Sequence, residues 1–154
     1  MKDKIRCDWS GSNELMIEYH DSEWGVPLHG DQKLFEFLCL EGAQAGLSWQ
    51  TILNRRENYR VVFDNFDAKK IAKYDEKKIE KLILDKRIIR NRGKINAFIT
   101  NAKLFLEIQD EFGSFDKYMW QFVNHEPIDN KFKKMSDLPA KTEISEIMSK
   151  TLKK

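Results

Sequence analysis

The stretch Leu38-Cys39-Leu40-Glu41-Gly42-Ala43-Gln44-Ala45-Gly46-Leu47-Ser48-Trp49 most limits what this chain can fold into. It ends an apolar helical run, Leu34 to Leu40, passes through two glycines and small residues, and restarts at Ser48. On a helix from Asp31, Glu41 follows Leu34 by seven residues and Leu38 by three, which puts it on their buried face. A carboxylate turned toward an apolar face is costly unless something pairs with it. Ser48 reads as an N-cap, with Trp49 opening the next helix. The expected picture is a carboxylate and a large aromatic facing one cavity, with a Gly46-Leu47 tip beside them. The plainer alternative is a helical hairpin in which Glu41 caps a neighbouring helix or pairs with an arginine.

The rest of the chain is patterned the same way. Three prolines and seven glycines in 154 residues leave room for recurrent helical periodicity, so the expected class is all-α and the expected organisation a single domain over residues 1–154. Helices are expected at Glu14 to Tyr19, from an Asp31 cap to Leu40, from Ser48 to about Asn65, after caps at Asp67 and Asp75, over Lys94–Phe112, over Ser114–Val123, and over Thr142–Leu152. Residues 124–140, with Pro127 and Pro139, read as a long loop. Two cysteines cannot build a disulfide framework. No apolar run reaches membrane length, and Met1-Lys2-Asp3-Lys4 opens no signal-like segment, so no membrane partner and a cytoplasmic setting are expected. A formal charge of +2 does not announce nucleic acid; such a role has to rest on local charge.

Local charge is present. From Lys86 to Leu106 there is no acidic residue and there are six basic ones: Lys86, Arg87, Arg90, Arg92, Lys94 and Lys103. Gly93 sits where a helix would begin, so a tight turn would be followed by free backbone N–H groups, an arrangement that holds a phosphate. Two helices flanking such a turn make a helix–hairpin–helix, which grips duplex backbone without reading sequence. The alternative is a solvated basic turn. Cys7 and His20 supply one thiolate and one imidazole, half of a tetrahedral zinc site. Trp9, Tyr19, Trp24 and Trp49 are either ordinary core or the walls of a slot for a flat ring. Stacking is worth about 1–3 kcal/mol per base, and a cationic ring gains about 0.5–2 kcal/mol more from the aromatic faces.

Cys7-Asp8-Trp9, the run Tyr19 to Pro27, the run Leu40 to Trp49, Arg56-Glu57-Asn58-Tyr59-Arg60, the run Ile88 to Ile95, and Phe122-Val123-Asn124-His125 resemble, in order and spacing, the bacterial type I 3-methyladenine DNA glycosylases. The resemblance runs from residue 6 to the C-terminal lysines. It implies a helix–hairpin–helix glycosylase fold and hydrolysis of the N-glycosidic bond of 3-methyladenine in double-stranded alkylated DNA. The products would be free 3-methyladenine and an abasic site. Carried onto matching positions, it gives Glu41 the catalytic and base-contacting role and makes Tyr19 and Trp49 the stacking walls. Trp9 lines the pocket, and Leu47 at the Gly46 tip fills the gap left by the flipped nucleotide. Arg90, Arg92, Gly93 and Lys94 would meet the DNA backbone.

Three features of the chain bear on that reading. The aspartate that many helix–hairpin–helix glycosylases carry beyond the hairpin is lacking in the type I family, and here Asn96 and Asn101 lie in that region. Met16 stands where relatives can carry an aromatic. The family continues for some tens of residues past the counterpart of Lys154, and there supplies a His and a Cys that complete a zinc site with the matches of Cys7 and His20. The expectation is a C-terminally shortened, monomeric member in which zinc is absent or weakly bound. The competing readings are a catalytically silent DNA-binding member of the same family and an unrelated helical scaffold.

Overall fold

A computed structural model describes residues 4–153; Met1-Lys2-Asp3 and Lys154, part of the terminal sequence considered above, lie outside it. The described residues form helices α1 (Glu14–Ser22), α2 (Asp31–Ala43), α3 (Trp49–Leu53), α4 (Arg56–Val62), α5 (Ala68–Ile71), α6 (Glu76–Leu84), α7 (Arg92–Phe112), α8 (Phe115–Trp120) and α9 (Glu143–Thr151), with short 3-10 turns and no strand among them. None of these helices is long and apolar enough to cross a membrane.

Helix α7 is the axis, packing against α2, α5, α6 and α8. Ile95, Phe98, Ile99, Ala102 and Phe105 recur at helical spacing and are buried. Asn91 caps its start by accepting from the Lys94 N–H, and Gly113, at φ +83°, ends it in the left-handed conformation. The core spreads from this face to Phe35 and Leu40 of α2, Ile52 of α3, Tyr59 of α4, Phe63 and Phe66, with Phe63 and Phe98 rings 4.8 Å apart.

The expected caps at Ser48, Asp67 and Asp75 are formed, and Ser114 and Thr142, expected as the first residues of their helices, cap them as well. Asp31 differs. It is the first residue of α2, and its carboxylate instead accepts from the backbone N–H groups of Phe115 and Asp116, at 3.0 and 2.9 Å. It therefore ties α2 to the start of α8. The single helix expected from Ser48 to Asn65 is broken at Asn54-Arg55, where Arg55 leaves helical geometry (φ −110°, ψ 0°). That break turns α4 so that Arg56 and Arg60 point back at α2. Residues 124–140 are a loop apart from one 3-10 turn at Met135–Asp137.

Candidate active site and DNA-facing hairpin

The turn between α2 and α3 brings the first group together. Helix α2 runs through Gly42 to Ala43, so one glycine of the pair is helical and only Gly46, at φ +74°, makes the turn. Leu47 follows, partly exposed at the tip, and its N–H returns to Gln44 O at 2.7 Å. Ser48 then caps α3, and Trp49 is its first residue.

Glu41 is not on the buried face that its spacing predicts. It is exposed, on the flank of α2 where Leu34 and Leu38 are only half-buried, one turn beyond Phe37. There it joins Tyr19, Glu23, Trp24, Phe37, Arg56 and other residues around a cleft of about 810 Å³. Desolvation by these neighbours raises the Glu41 pKa above the ordinary carboxylate value. Burial, and then the charge of Glu41, raise that of Tyr19.

The aromatics cluster behind this cleft. Tyr19 lies against Trp49 with centroids 5.3 Å apart, and Phe37 stacks on Trp49 at 6.3 Å and 22°. Trp9 touches Tyr19, His20 and Trp24, at 6.2, 5.1 and 5.1 Å. Trp9 and Trp49 stand behind Tyr19 rather than on the cleft surface. The Trp49 indole N–H is buried without a hydrogen-bond partner among the described residues. Met16 is buried and takes no part in lining the cleft.

Sequence reasoning missed the charged floor. Glu36, not Glu41, is the buried carboxylate: Arg56 Nε and Arg60 Nη2 both reach its Oε1, at 2.6 and 2.7 Å. Arg56 also bonds Glu23, at 2.7 Å, and its guanidinium lies 4.9 Å over the Phe37 ring. The signal was there: Arg56 and Arg60 sit one turn apart on α4, and Glu36 adjoins Phe35 in an apolar run.

Cys7 and His20 are neighbours, the Cys7 N–H donating to His20 Nε2 at 3.3 Å. His20 Nδ1 faces Asp21 Oδ1 at 3.0 Å, the kind of carboxylate support that orients a ligand imidazole. Side-chain hydrogen bonds from Arg6, then from His20, hold the Asp21 carboxyl far below its usual range. Yet no group of three His, Cys, Asp or Glu side chains that could hold a metal ion forms among the described residues. Two donors do not fit a closed zinc site, which needs four.

The second group is the helix–hairpin–helix itself, α6, the turn at 85–91 and α7. Ile88 is buried as its plug, Ile89 N–H donates to Tyr59 Oη at 3.2 Å, and Asp85 accepts from Arg87 backbone and side chain. Gly93 is exposed in the first turn of α7, where an added Cβ would press on Asn91 Oδ1 at 3.1 Å. Arg90 is exposed and makes no ion pair among the described residues. Arg92 is exposed but paired with Glu76 at 2.6 Å and with Glu80. Lys94 turns inward, its ammonium donating to Ala43 O and Ala45 O, both at 2.8 Å.

An α-helical body with a basic helix–hairpin–helix and an aromatic cleft edged by a carboxylate has the architecture of a helix–hairpin–helix DNA glycosylase. The comparisons make the class specific. The model of the methyladenine glycosylase family matches residues 9–154, and the chain belongs to that family. DNA-3-methyladenine glycosylase 1 of Escherichia coli is 48% identical over 149 residues, 97% of this chain and 80% of the relative. A crystal structure of a 3-methyladenine DNA glycosylase I, 45% identical, superposes with TM-score 0.92 over 97% of this chain and 82% of the other. A tyrosine-to-phenylalanine variant of such an enzyme in complex with 3-methyladenine, 34% identical, matches with TM-score 0.91 over 96% and 80%.

Proposed function

We infer that this chain is a DNA-3-methyladenine glycosylase: it flips the damaged nucleotide out of the duplex and hydrolyses its N-glycosidic bond, leaving an abasic site. The observation that carries the reading is the placement of Glu41, desolvated yet reachable, in the last turn of α2 on the cleft that Tyr19 also lines, with Trp49 packed against Tyr19.

The chemistry suits these groups. Methylation at N3 makes the purine cationic, hence already a good leaving group. Water attacks C1′ as the C1′–N9 bond breaks, the bond's electron pair neutralises the departing ring, and the water's surplus proton goes to solvent. The protein has to extrude the base, hold it and reject neutral adenine, more than to protonate it. Glu41 attracts and hydrogen-bonds the cation, Tyr19 and Trp49 stack on it, and Leu47 occupies the vacated space in the duplex. Arg90 and the Gly93 turn grip phosphates, with Arg92 able to join by releasing its glutamates.

We further propose a monomer acting on double-stranded alkylated DNA in the cytoplasm, and weak, exchangeable zinc at Cys7 and His20. Metal analysis after dialysis against a mild chelator should find well under one zinc per chain; one full equivalent would contradict that. Titration with free 3-methyladenine and with adenine tests the pocket. Binding of the first only, lost in Glu41→Gln, is expected. Equal affinity for both bases would remove the assignment and leave a DNA-binding module.

A further inference from the structure

The ammonium of Lys94 is pinned 2.8 Å from two carbonyls, Ala43 O and Ala45 O, some fifty residues away in the chain. Its own backbone N–H is held by Asn91 Oδ1 at 3.0 Å. Lys94 is thus fixed at one end to the hairpin and at the other to the end of α2. Ala43 is the last residue of that helix, and Ala45 immediately precedes Gly46-Leu47. Carbonyls at a helix C-terminus lack intrahelical donors and carry the negative end of the dipole, so a lysine there is well matched.

The sequence pattern points Lys94 at phosphate, but its half-buried side chain points into the protein. What it joins matters. Glu41 lies two residues before Ala43, and Trp49 lies four after Ala45. Beside the core packing of α2 on α7, this bridge connects the DNA-gripping turn to the element carrying the carboxylate, the wedge and a stacking wall. We propose that Lys94 is a positioning residue: it locks the Ala45–Leu47 tip to the hairpin, so that phosphate grip at the turn aims Leu47 and the pocket at one nucleotide. This rests on the glycosylase reading above.

The test compares wild type with Lys94→Met and Lys94→Arg, on alkylated duplex and on a duplex carrying 2-aminopurine beside the target base. A phosphate ligand lost in Lys94→Met would lower the salt slope of duplex binding by about 0.9. A positioning residue leaves that slope and the affinity for free 3-methyladenine unchanged. It instead lowers single-turnover excision at saturating DNA by about tenfold to a hundredfold, the cost of slight misplacement. The 2-aminopurine extrusion signal falls with it. Lys94→Arg, which keeps charged donors near the two carbonyls, should recover much of the rate. A reduced slope with unimpaired excision at saturation would overturn the proposal, as would an Arg variant no better than Met. Wild type that releases no base would sink the glycosylase reading, while the slope and extrusion signals would still report on Lys94.

Discussion

The rings of Tyr19 and Trp49 lie 5.3 Å apart, centroid to centroid, and are tilted by 52°. A flat base held between two parallel rings needs about 7 Å, twice a carbon–carbon contact. The two rings are therefore closed on each other and would have to part to admit a base between them, as the proposed function requires. The indole N–H of Trp49 has no partner among the described residues in this closed arrangement, which favours its movement. Titration with 3-methyladenine should change tryptophan fluorescence, and Trp49→Ala should weaken base binding by about 1–3 kcal/mol. An unaltered affinity would place the base elsewhere in the cleft.

Glu41 sets a pH dependence. Its carboxyl titrates above the ordinary value of 4.5, because neighbours desolvate it. As pH falls through this raised pKa Glu41 loses its charge, so base affinity and excision should decline on an acid limb above the usual carboxylate range. The stability effect has the opposite sense: the native state holds the proton where the unfolded chain has released it, so this group's contribution falls as pH rises through that window. Glu41→Gln should abolish the acid limb and cost about 1.5–3 kcal/mol of base binding. An identical limb in the variant would assign it to another group.

Glu36 and Glu57 make opposite predictions for the same arginine. Glu36 is buried and takes both Arg56 and Arg60, whereas Glu57 is exposed and pairs with Arg60 alone. Glu36→Ala removes the buried carboxylate that both arginines share, leaving half-buried Arg56 with Glu23 only, and should destabilise the fold by about 3 kcal/mol in urea unfolding. Glu57→Ala should change stability by less than about 0.5 kcal/mol. Similar values for the two would deny the network its structural role.

Arg90 and Arg92 should separate in salt titrations of duplex binding. Arg90 is exposed with no ion pair among the described residues, so Arg90→Ala should lower the slope by about 0.9. Arg92 has first to leave Glu76 and Glu80, and its removal should change the slope less. The reverse order would move the phosphate path toward α6.

Periodicity and caps make most of the helical architecture legible, since Ser48, Asp67 and Asp75 act locally. Asp31 departs from the expected cap because its carboxylate answers donors some eighty-five residues away. Glu41 and Glu36 differ by less than two turns, and one-face arithmetic could not say which one met the arginines; that depended on the break at Asn54-Arg55, which turned α4. Lys94 sits in a basic run like its neighbours, and only the approach of α2 reveals that its charge points inward.

The most direct measurement is the base released from alkylated duplex DNA, separated chromatographically. Wild type should release 3-methyladenine and leave adenine in place, and Glu41→Gln should slow that release at unchanged duplex affinity. Absence of release, or a Glu41→Gln variant as fast as wild type, would contradict the account.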